Sequence, residues 1–335
     1  MSGGDGLPPF ADRSDPGERR DRTLDERDLA ALAAAIEDAA IPQRDFSHAR
    51  HLLLALHYVR AHGPEGALAR MRSALQAFNA RHPPTNGYHE TITAAWLTLV
   101  ARHAAEHRGA AVHDLAEGLL DRYRSSKALF AHYSRARLLS DDARAAFVAP
   151  DLAPLPAPGD GVRIRLATEA DLAAIEEIYA FYVERSTCTF ATTVPTPAER
   201  RAWLAAHGPL HPATVAVEGD GAGAVVGWGS LSQWNPREAY ARSVENSVYV
   251  RDGLQRRGLG RRILADLVSR AISLGHRTII AQIAGDQAAS VALHRALGFE
   301  DAGLLRDVGH KFDRWLDVIL MQRAIPYSAS DGQQP

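Results

Sequence analysis

The apolar residues of this chain change their spacing at a proline-rich segment that covers residues 149–161. Before it, Leu29, Leu32 and Ile36 follow the period of an α-helix, and similar spacing continues to about residue 147. After it, short alternating runs typical of strands are interleaved with helical segments. Prolines remove backbone donors and favour extended conformations, so this segment indicates a linker. The sequence therefore predicts an all-α N-terminal domain and a C-terminal domain of another class.

The pattern after the linker predicts a mixed α/β sheet because strands and helices alternate and hairpin strands come first. The predicted strands are residues 162–166, 213–217, 224–230, 243–250 and 278–283, with two more near Leu304 and Val318. The predicted helices are residues 171–183, one that opens at Thr196, residues 258–274 and residues 288–297. We therefore predict five segments: a disordered tail over 1–22, a helical domain over 23–148, a linker over 149–161, an α/β domain over 162–325 and a disordered tail over 326–335.

Composition limits the classes of partner. The 38 Lys and Arg residues balance 40 Asp and Glu residues, so no basic field favours nucleic acid or an anionic membrane, and a small-molecule partner fits better. Cys188 is the only cysteine, which excludes an internal disulfide framework and fits a reducing compartment. Neither an apolar run of about 20 residues nor a leader pattern is present. We expect a soluble cytoplasmic protein.

A glycine-containing segment between a strand and a helix carries the strongest chemical signal. It reads Gln255-Arg-Arg-Gly258-Leu-Gly260-Arg261 and follows the strand Ser247-Val-Tyr-Val250. Glycines let an anion approach the backbone, and amide groups at a helix N-terminus bind phosphate. Taken alone, the segment also fits an ordinary helix start with a solvated basic face.

This segment resembles the coenzyme A pyrophosphate loop of the GNAT acetyltransferase superfamily. More narrowly, Val244-Glu-Asn-Ser-Val-Tyr-Val250, Ala289-Ser-Val-Ala-Leu-His-Arg-Ala-Leu-Gly-Phe299 and Val308-Gly-His-Lys-Phe-Asp-Arg-Trp-Leu-Asp317 resemble the phosphinothricin and methionine sulfoximine/sulfone N-acetyltransferases. The resemblance spans about residues 162–323. It implies a mostly antiparallel GNAT-like sheet, acetyl-CoA as co-substrate and no metal in this domain.

The resemblance also implies which residues bind the cofactor. The fourth strand is expected to splay from the fifth, and the pantetheine arm is expected to enter that gap. Gln287 stands where the family usually has an asparagine, so its contact is expected to shift. The implied cofactor-binding residues are Val248, Tyr249, Val250, Gln255, Arg256, Arg257, Gly258, Leu259, Gly260, Arg261, Gln287 and Ser290.

Two residues are candidates for catalysis by the same resemblance. Glu245 matches the family's glutamate beside the acetyl group, where it would accept a proton from the substrate ammonium. A solvent-facing strand glutamate is the alternative. His294 matches the position near the departing thiolate and would act as general acid or hydrogen-bond the sulfur. The alternative is a helix histidine whose ring is satisfied by a neighbour.

Substrate recognition is expected to involve Arg237, because a planar guanidinium suits a carboxylate and the family pattern has an arginine there. Asn235 stands where the phosphinothricin enzymes carry a lysine, which favours a neutral side chain such as a sulfone or sulfoximine. Phe190 and Tyr240 are expected either to wall the pocket or to pack in the core. A homodimer through the GNAT domain is expected by analogy.

The helical half offers a weaker hypothesis. His48, His51, His89 and Glu90 could form a nitrogen and oxygen set for zinc or iron, although coincidence is the stronger interpretation in a chain with 15 histidines. The segments Phe46-Ser-His-Ala-Arg-His-Leu52, Gly87-Tyr-His-Glu-Thr91 and Tyr133-Ser-Arg-Ala-Arg-Leu138 resemble an uncharacterised helical family. A regulatory or substrate-delivering module is our hypothesis for this half.

Three functions remain open from the sequence. The first is N-acetylation of a small amino acid or amino-acid analogue. The second is acetylation of protein or peptide N-termini, which needs an open groove. The third is a CoA-binding sensor with a helical output domain, against which the retained Glu245 and His294 count.

Overall fold

The computed structural model describes residues 23–83, 87–156, 161–219 and 223–325. The predicted tails over 1–22 and 326–335, and residues 157–160 of the predicted linker, lie outside the described residues. Two compact units are present. The first contains the described residues up to Arg124 with Leu138–Val148, Leu155 and Pro156. The second contains Ser125–Arg137, Ala149–Pro154 and the described residues from Gly161 onwards. The domain boundaries given by the sequence stay a prediction.

The first unit is helical, as the apolar spacing predicts. Its capped first helix shows why: the Asp25 carboxylate accepts the backbone N–H of Asp28, and the Asp28 side chain accepts that of Asp25. A left-handed Gly63 (φ 69°) ahead of Pro64 interrupts the second and longest helix. None of the helices in the described part of the chain combines the length and apolar character needed to cross a bilayer. The helices of this unit are α1 Glu26–Glu37, α2 His48–Arg81, α3 Glu90–Glu106, α4 Val112–Arg122 and α6 Asp141–Ala145. The short α5 Arg135–Leu138 belongs mostly to the second unit.

The second unit is a seven-stranded mixed sheet, mostly antiparallel, with four longer helices, which confirms the predicted fold class. The strand order is β1-β2-β3-β4-β5-β7-β6, and the β4–β5 pair is the parallel one. The elements are β1 Val162–Leu166, α7 Leu172–Arg185, α8 Pro197–Ala206, β2 Ala213–Glu218, β3 Ala224–Gln233, β4 Ser243–Val250, α9 Leu259–Ser273, β5 Thr278–Ala284, α10 Ala288–Ala296, β6 Glu300–Lys311 and β7 Arg314–Ala324.

Two glycines on β3 set the position of α9. A Cβ at Gly227 or Gly229 would lie 2.9 or 2.7 Å from the side chain of Ile263 on α9, so only glycine allows the helix to approach the sheet this closely. On the other face, Ile175 and Ile178 of α7 pack with Trp228 in a buried cluster. The first turn of α9 is thereby held close to the end of β4.

Candidate active site

The parallel strands β4 and β5 separate after a short paired stretch. Their register covers Ser243, Val244 and Glu245 of β4, whereas β4 stays paired with β3 as far as Val250. Beyond Glu245, β5 continues to pair with β7 but not with β4 among the described residues. The separation predicted for these strands is therefore present, and it opens a slot beside the second half of β4.

The segment between β4 and α9 forms a concave turn suited to an anion. Gly258 precedes the helix with φ 78°, a left-handed conformation that favours glycine, and Arg256 also has positive φ. The first N–H groups of α9 have no partner within the helix and point toward its N-terminal end. Leu259 is buried, so its backbone rather than its side chain is available to a ligand.

Several side chains of the predicted cofactor loop have protein partners. Arg257 forms an ion pair with Glu218 at 2.8 Å. Arg261 donates from Nε to the carbonyl of Leu152 at 3.0 Å. Gln255 donates from Nε2 to the Tyr182 hydroxyl at 3.2 Å. The backbone of this loop is thus better placed than its side chains to hold a phosphate.

Tyr182 also reaches the end of β4, where its hydroxyl donates to the Val250 carbonyl at 2.6 Å. Tyr249 stacks on Trp228 with ring centroids 4.6 Å apart, and burial raises the pKa of its phenol. Its ring therefore acts as a neutral wall. The Val250 carbonyl is thus already engaged, whereas no side chain of the described residues forms a hydrogen bond with Val248.

Glu245 lies at the point where β4 and β5 separate. Its Oε1 accepts a hydrogen bond from Nε2 of Gln282 at 3.1 Å. Burial raises the pKa of this carboxyl above its ordinary value, and the Gln282 contact offsets part of that shift. A half-buried carboxylate with a raised pKa is a suitable proton acceptor near neutral pH.

His294 is buried on α10 and both its ring nitrogens are engaged. Nδ1 donates to the Ser290 carbonyl at 2.8 Å, so Nε2 carries the lone pair and accepts from the Asn246 amide at 2.9 Å. Burial lowers the pKa of His294, which favours the neutral ring. Oδ1 of Asn246 is buried and has no hydrogen-bond partner among the described residues. The sequence did not single out Asn246.

Gln287 and Ser290, the residues predicted to bind the cofactor at the start of α10, differ in whether their side chains are free to do so. Nε2 of Gln287 donates to Thr187 Oγ1 at 2.8 Å and to Asp286 Oδ1 at 3.2 Å. The longer side chain of glutamine is thus used to hold the loop after α7. Ser290 Oγ lies 3.5 Å from His294 Nδ1, a weak contact that leaves the hydroxyl available.

A cavity of about 400 Å³ lies on the face of the sheet that carries Glu245. It lies over β3 and β4 and beside α7 and α8, and its walls combine aromatic rings with serine hydroxyls. Ser232, one of its lining residues, is directly opposite Glu245 in the β3–β4 register. The lining residues are Tyr179, Thr193, Pro195, Glu199, Arg200, Trp203, Trp228, Ser230, Ser232, Ser247 and Tyr249.

Comparison with known proteins assigns the family. Residues 164–320 match the profile described as an acetyltransferase (GNAT) domain. Over 159 residues the chain is 43% identical to the L-methionine sulfoximine/L-methionine sulfone acetyltransferase of Pseudomonas aeruginosa, a match that covers 48% of this chain and 92% of that protein. The chain belongs to the GNAT acetyltransferase family.

The chain is also similar to two further proteins. The phosphinothricin N-acetyltransferase of Alcaligenes faecalis is 37% identical over 174 residues, which cover 51% of this chain and 86% of that protein. A GNAT superfamily phosphinothricin acetyltransferase from Sinorhizobium meliloti, whose structure is in complex with acetyl-CoA, is 38% identical in sequence to this chain. The match covers 52% of this chain and 93% of that protein's chain, with a TM-score of 0.48. The prediction of a GNAT N-acetyltransferase domain in the C-terminal half is confirmed.

The predicted substrate residues of the GNAT domain do not line the cavity. Arg237 and Tyr240 lie at the turn between β3 and β4, where both are exposed. Phe190 is 37% exposed and packs against Gly309, where a Cβ would lie 2.5 Å from its ring. Instead, the cavity is built largely from β3 and α8 residues that sequence reasoning missed. Alternation of Trp228, Ser230 and Ser232 on one face of β3 was the available signal.

The metal candidates of the helical unit have other partners. His48 Nε2 donates to the Tyr123 carbonyl at 3.0 Å, and His89 Nε2 donates to the Leu138 carbonyl at 3.0 Å. His51 Nδ1 donates to the Ser47 carbonyl, and Glu90 forms an ion pair with Arg72. Within the described ranges, no three His, Cys, Asp or Glu side chains come together as a metal-binding group. These contacts favour structural roles.

Proposed function

We propose that the GNAT domain transfers the acetyl group of acetyl-CoA to the amine of a small amino acid or amino-acid analogue, of the methionine sulfone, methionine sulfoximine or phosphinothricin type. The observation that carries the proposal is a carboxylate with a raised pKa, Glu245, on the cavity face at the point where β4 and β5 separate. The names of the relatives, which act on such analogues, support the substrate class.

The residues around the slot fit acetyl-CoA. The pantetheine arm would pair with the backbone of β4 near Val248, and the pyrophosphate would bind the first N–H groups of α9 beyond Gly258. The orphaned Oδ1 of Asn246 is a buried acceptor next to the slot, suited to an amide N–H of the arm. His294 holds Asn246 in place, and its neutral ring suits this role better than that of an acid.

The reaction follows from this arrangement by direct attack. Glu245 takes a proton from the substrate ammonium, and the free amine then attacks the thioester carbonyl. When the tetrahedral intermediate collapses, the carbon–sulfur bond breaks and the nitrogen's second proton goes to the departing thiolate. Positioning the amine beside the thioester contributes much of the rate, because the two reactants no longer have to meet by diffusion.

The cavity favours a small substrate with a neutral polar side chain. Its volume of about 400 Å³ lies within the usual range of small-molecule sites. Its hydroxyls can donate to sulfone or sulfoximine oxygens. Arg200, the cation of the wall, is buried and already paired with Glu176 at 2.6 Å. The anionic phosphinate of phosphinothricin therefore fits less well, in agreement with Asn235 at the position of the relatives' lysine.

Turnover by the purified full chain tests the proposal against its two alternatives. CoA release would be measured with acetyl-CoA and free amino acids, methionine sulfone, methionine sulfoximine, phosphinothricin, and peptides with free N-termini. We expect the highest kcat/KM with the sulfone or sulfoximine. Faster turnover of peptides would replace this proposal with the N-terminal acetyltransferase. Binding of acetyl-CoA without turnover of any amine would support the sensor.

A glycine substitution tests the pyrophosphate site. Gly258→Ala is expected to raise KM for acetyl-CoA about tenfold, because a Cβ disfavours φ 78° and distorts the turn that presents the α9 amides. Gly275→Ala is a matched control, since Gly275 has φ 77° at the opposite end of α9. Steady-state kinetics should show a raised KM in the first variant alone. Equal effects in both would mean that strain in α9, rather than phosphate binding, is responsible.

A homodimer through the β6–β7 hairpin is the oligomeric state that we propose. The hairpin exposes apolar side chains along its length, and Trp315 is 65% exposed. Apolar surface of this extent is typical of an interface. Trp315→Glu is expected to convert the dimer to a monomer in size-exclusion chromatography with light scattering, whereas Leu139→Glu, at an exposed leucine of the helical unit, should not. A monomeric wild-type protein would contradict this assignment. The exposed apolar residues of the hairpin are Leu304, Leu305, Val308, Phe312 and Trp315.

A further inference from the structure

Ser232 connects the proposed base to a histidine that the reaction described above does not use. Ser232 on β3 and Glu245 on β4 are directly opposite in the antiparallel register, so their side chains share a face with Cβ atoms about 5 Å apart. Ser232 also lines the cavity, beside Ser230 and Ser247. The Ser232 hydroxyl and the Glu245 carboxyl therefore lie on the same face of the sheet, at a separation that one water can bridge.

The other side of Ser232 faces His207, the residue that follows α8. Ser232 Oγ lies 3.3 Å from His207 Nε2. His207 Nδ1 lies 2.7 Å from the Trp203 carbonyl, which can only accept, so Nδ1 carries the hydrogen. Nε2 consequently bears the lone pair, and the Ser232 hydroxyl donates to it. The hydrogen bonds of Ser232 and His207 are thus oriented so that a proton can pass from the Glu245 carboxyl toward the imidazole.

The surroundings of His207 favour its neutral ring, the form that can accept a proton. Burial lowers the pKa of His207, the hydrogen bond to the Trp203 carbonyl offsets part of that shift, and electrostatic interactions with His211 and Arg200 lower the pKa further. Four groups surround the His207 ring: Trp203 and Arg200 of α8, His211 of the loop after α8, and Ser232 of β3. At neutral pH the ring is neutral. Burial moves the pKa of Glu245 upward and that of His207 downward, so both shifts reduce the difference between the ordinary pKa values of the two groups.

We propose that Ser232 and His207 carry away the proton that Glu245 takes from the substrate ammonium. The protonated carboxyl passes its proton through a bridging water to Ser232 Oγ, while the Ser232 proton moves to His207 Nε2. The carboxylate is restored and an imidazolium forms, so one positive charge has moved from substrate to His207. The imidazolium then loses the proton to solvent. This inference rests on the proposed function, because it needs Glu245 to act as the base.

The relay matters because the cavity is occupied during turnover. With amine and acetyl-CoA bound, a half-buried carboxyl has little water from which to exchange its proton. A route through Ser232 leads along this face of the sheet to His207 at the end of α8. Glu245 is thereby reset without release of either substrate.

His207→Gln tests the relay with the full chain and methionine sulfone. Glutamine keeps a hydrogen-bond acceptor for Ser232 but cannot hold the proton, so kcat is expected to fall about tenfold with KM for acetyl-CoA unchanged. His211→Gln, at a neighbouring histidine that forms no hydrogen bond with Ser232 among the described residues, should keep kcat within about twofold. In His207→Ala, added imidazole should restore part of the lost kcat, because it replaces the missing proton acceptor.

Ser232→Ala provides the second arm and covers the possibility that a His207 variant does not fold. Alone it should lower kcat about as much as His207→Gln, and the double variant should be no slower than either single one, because both interrupt the same route. Wild-type kcat and pH profile in Ser232→Ala, or additive losses in the double variant, would overturn the relay while leaving the proposed function intact. Absence of wild-type turnover on every amine would overturn both.

Discussion

Glu245→Gln lowers kcat/KM for the amine substrate by about 10²–10³-fold, in the range typical of a lost general base. Glutamine has nearly the same shape as glutamate and can still hydrogen-bond Gln282. In the wild-type protein, Gln282 donates to the Glu245 carboxylate at 3.1 Å. What it cannot do is accept a proton. KM for acetyl-CoA should therefore stay within about twofold, because the cofactor slot lies farther along β4. CoA release in steady-state assays measures both quantities.

The pH profile gives this prediction a second readout. Burial raises the pKa of Glu245 above its ordinary value of 4.5, and only the ionised form is a base. The wild-type rate should thus fall as the pH drops through that raised pKa, and this limb should be absent from the variant. Glu300→Gln, at an exposed position on β6, is the matched control and should keep both rate and profile. A fully active Glu245→Gln enzyme would remove Glu245 from the mechanism.

Lys311→Met lowers the free energy of unfolding of the α/β unit by about 2–4 kcal/mol, because one buried and one partly buried carbonyl lose their partner. The Lys311 ammonium is buried and donates to Ser186 O at 2.7 Å and Thr189 O at 2.8 Å. Its third acceptor, Tyr182 O, retains a bond from the Ser186 N–H and is less affected. Denaturant unfolding of the full chain, followed by a signal from the α/β unit, measures the change.

A matched control exists in the chain itself. Lys127 and Lys311 are its two lysines, and Lys127 is only partly buried. Lys127→Met should change the free energy of unfolding by less than about 0.5 kcal/mol. Unchanged stability in Lys311→Met would mean that water replaces the ammonium at both carbonyls.

Local signals in the sequence were sufficient for most elements. The predicted α8 start is confirmed in detail: Thr196 caps the helix, Pro197 opens it, and Glu199 completes the capping box. The strand predicted over 243–250 is observed as Ser243–Val250, and the helix predicted over 258–274 as Leu259–Ser273. These signals are readable because caps, glycine turns and apolar periods depend on neighbouring residues alone.

The placement of the site within these elements was only partly readable. The motif around Glu245 and the glycines before α9 were recognisable because the chemistry of each lies within one short segment. The cavity was not, since its walls come from α7, α8, β3 and β4, and its substrate candidates Arg237 and Tyr240 lie outside it. Likewise, Gln287 donates to Thr187, a hundred residues away in sequence.

The sequence by itself determined the fold class, the family and the candidate base. Only the tertiary structure decided that Ser232 faces Glu245, that His294 supports Asn246 and that Arg261 is held by Leu152. The physical reason is register. A shift of one residue between β3 and β4 would turn Ser232 to the other face, and no local pattern fixes that choice. Strand pairing and helix packing over the whole unit select which side chains meet.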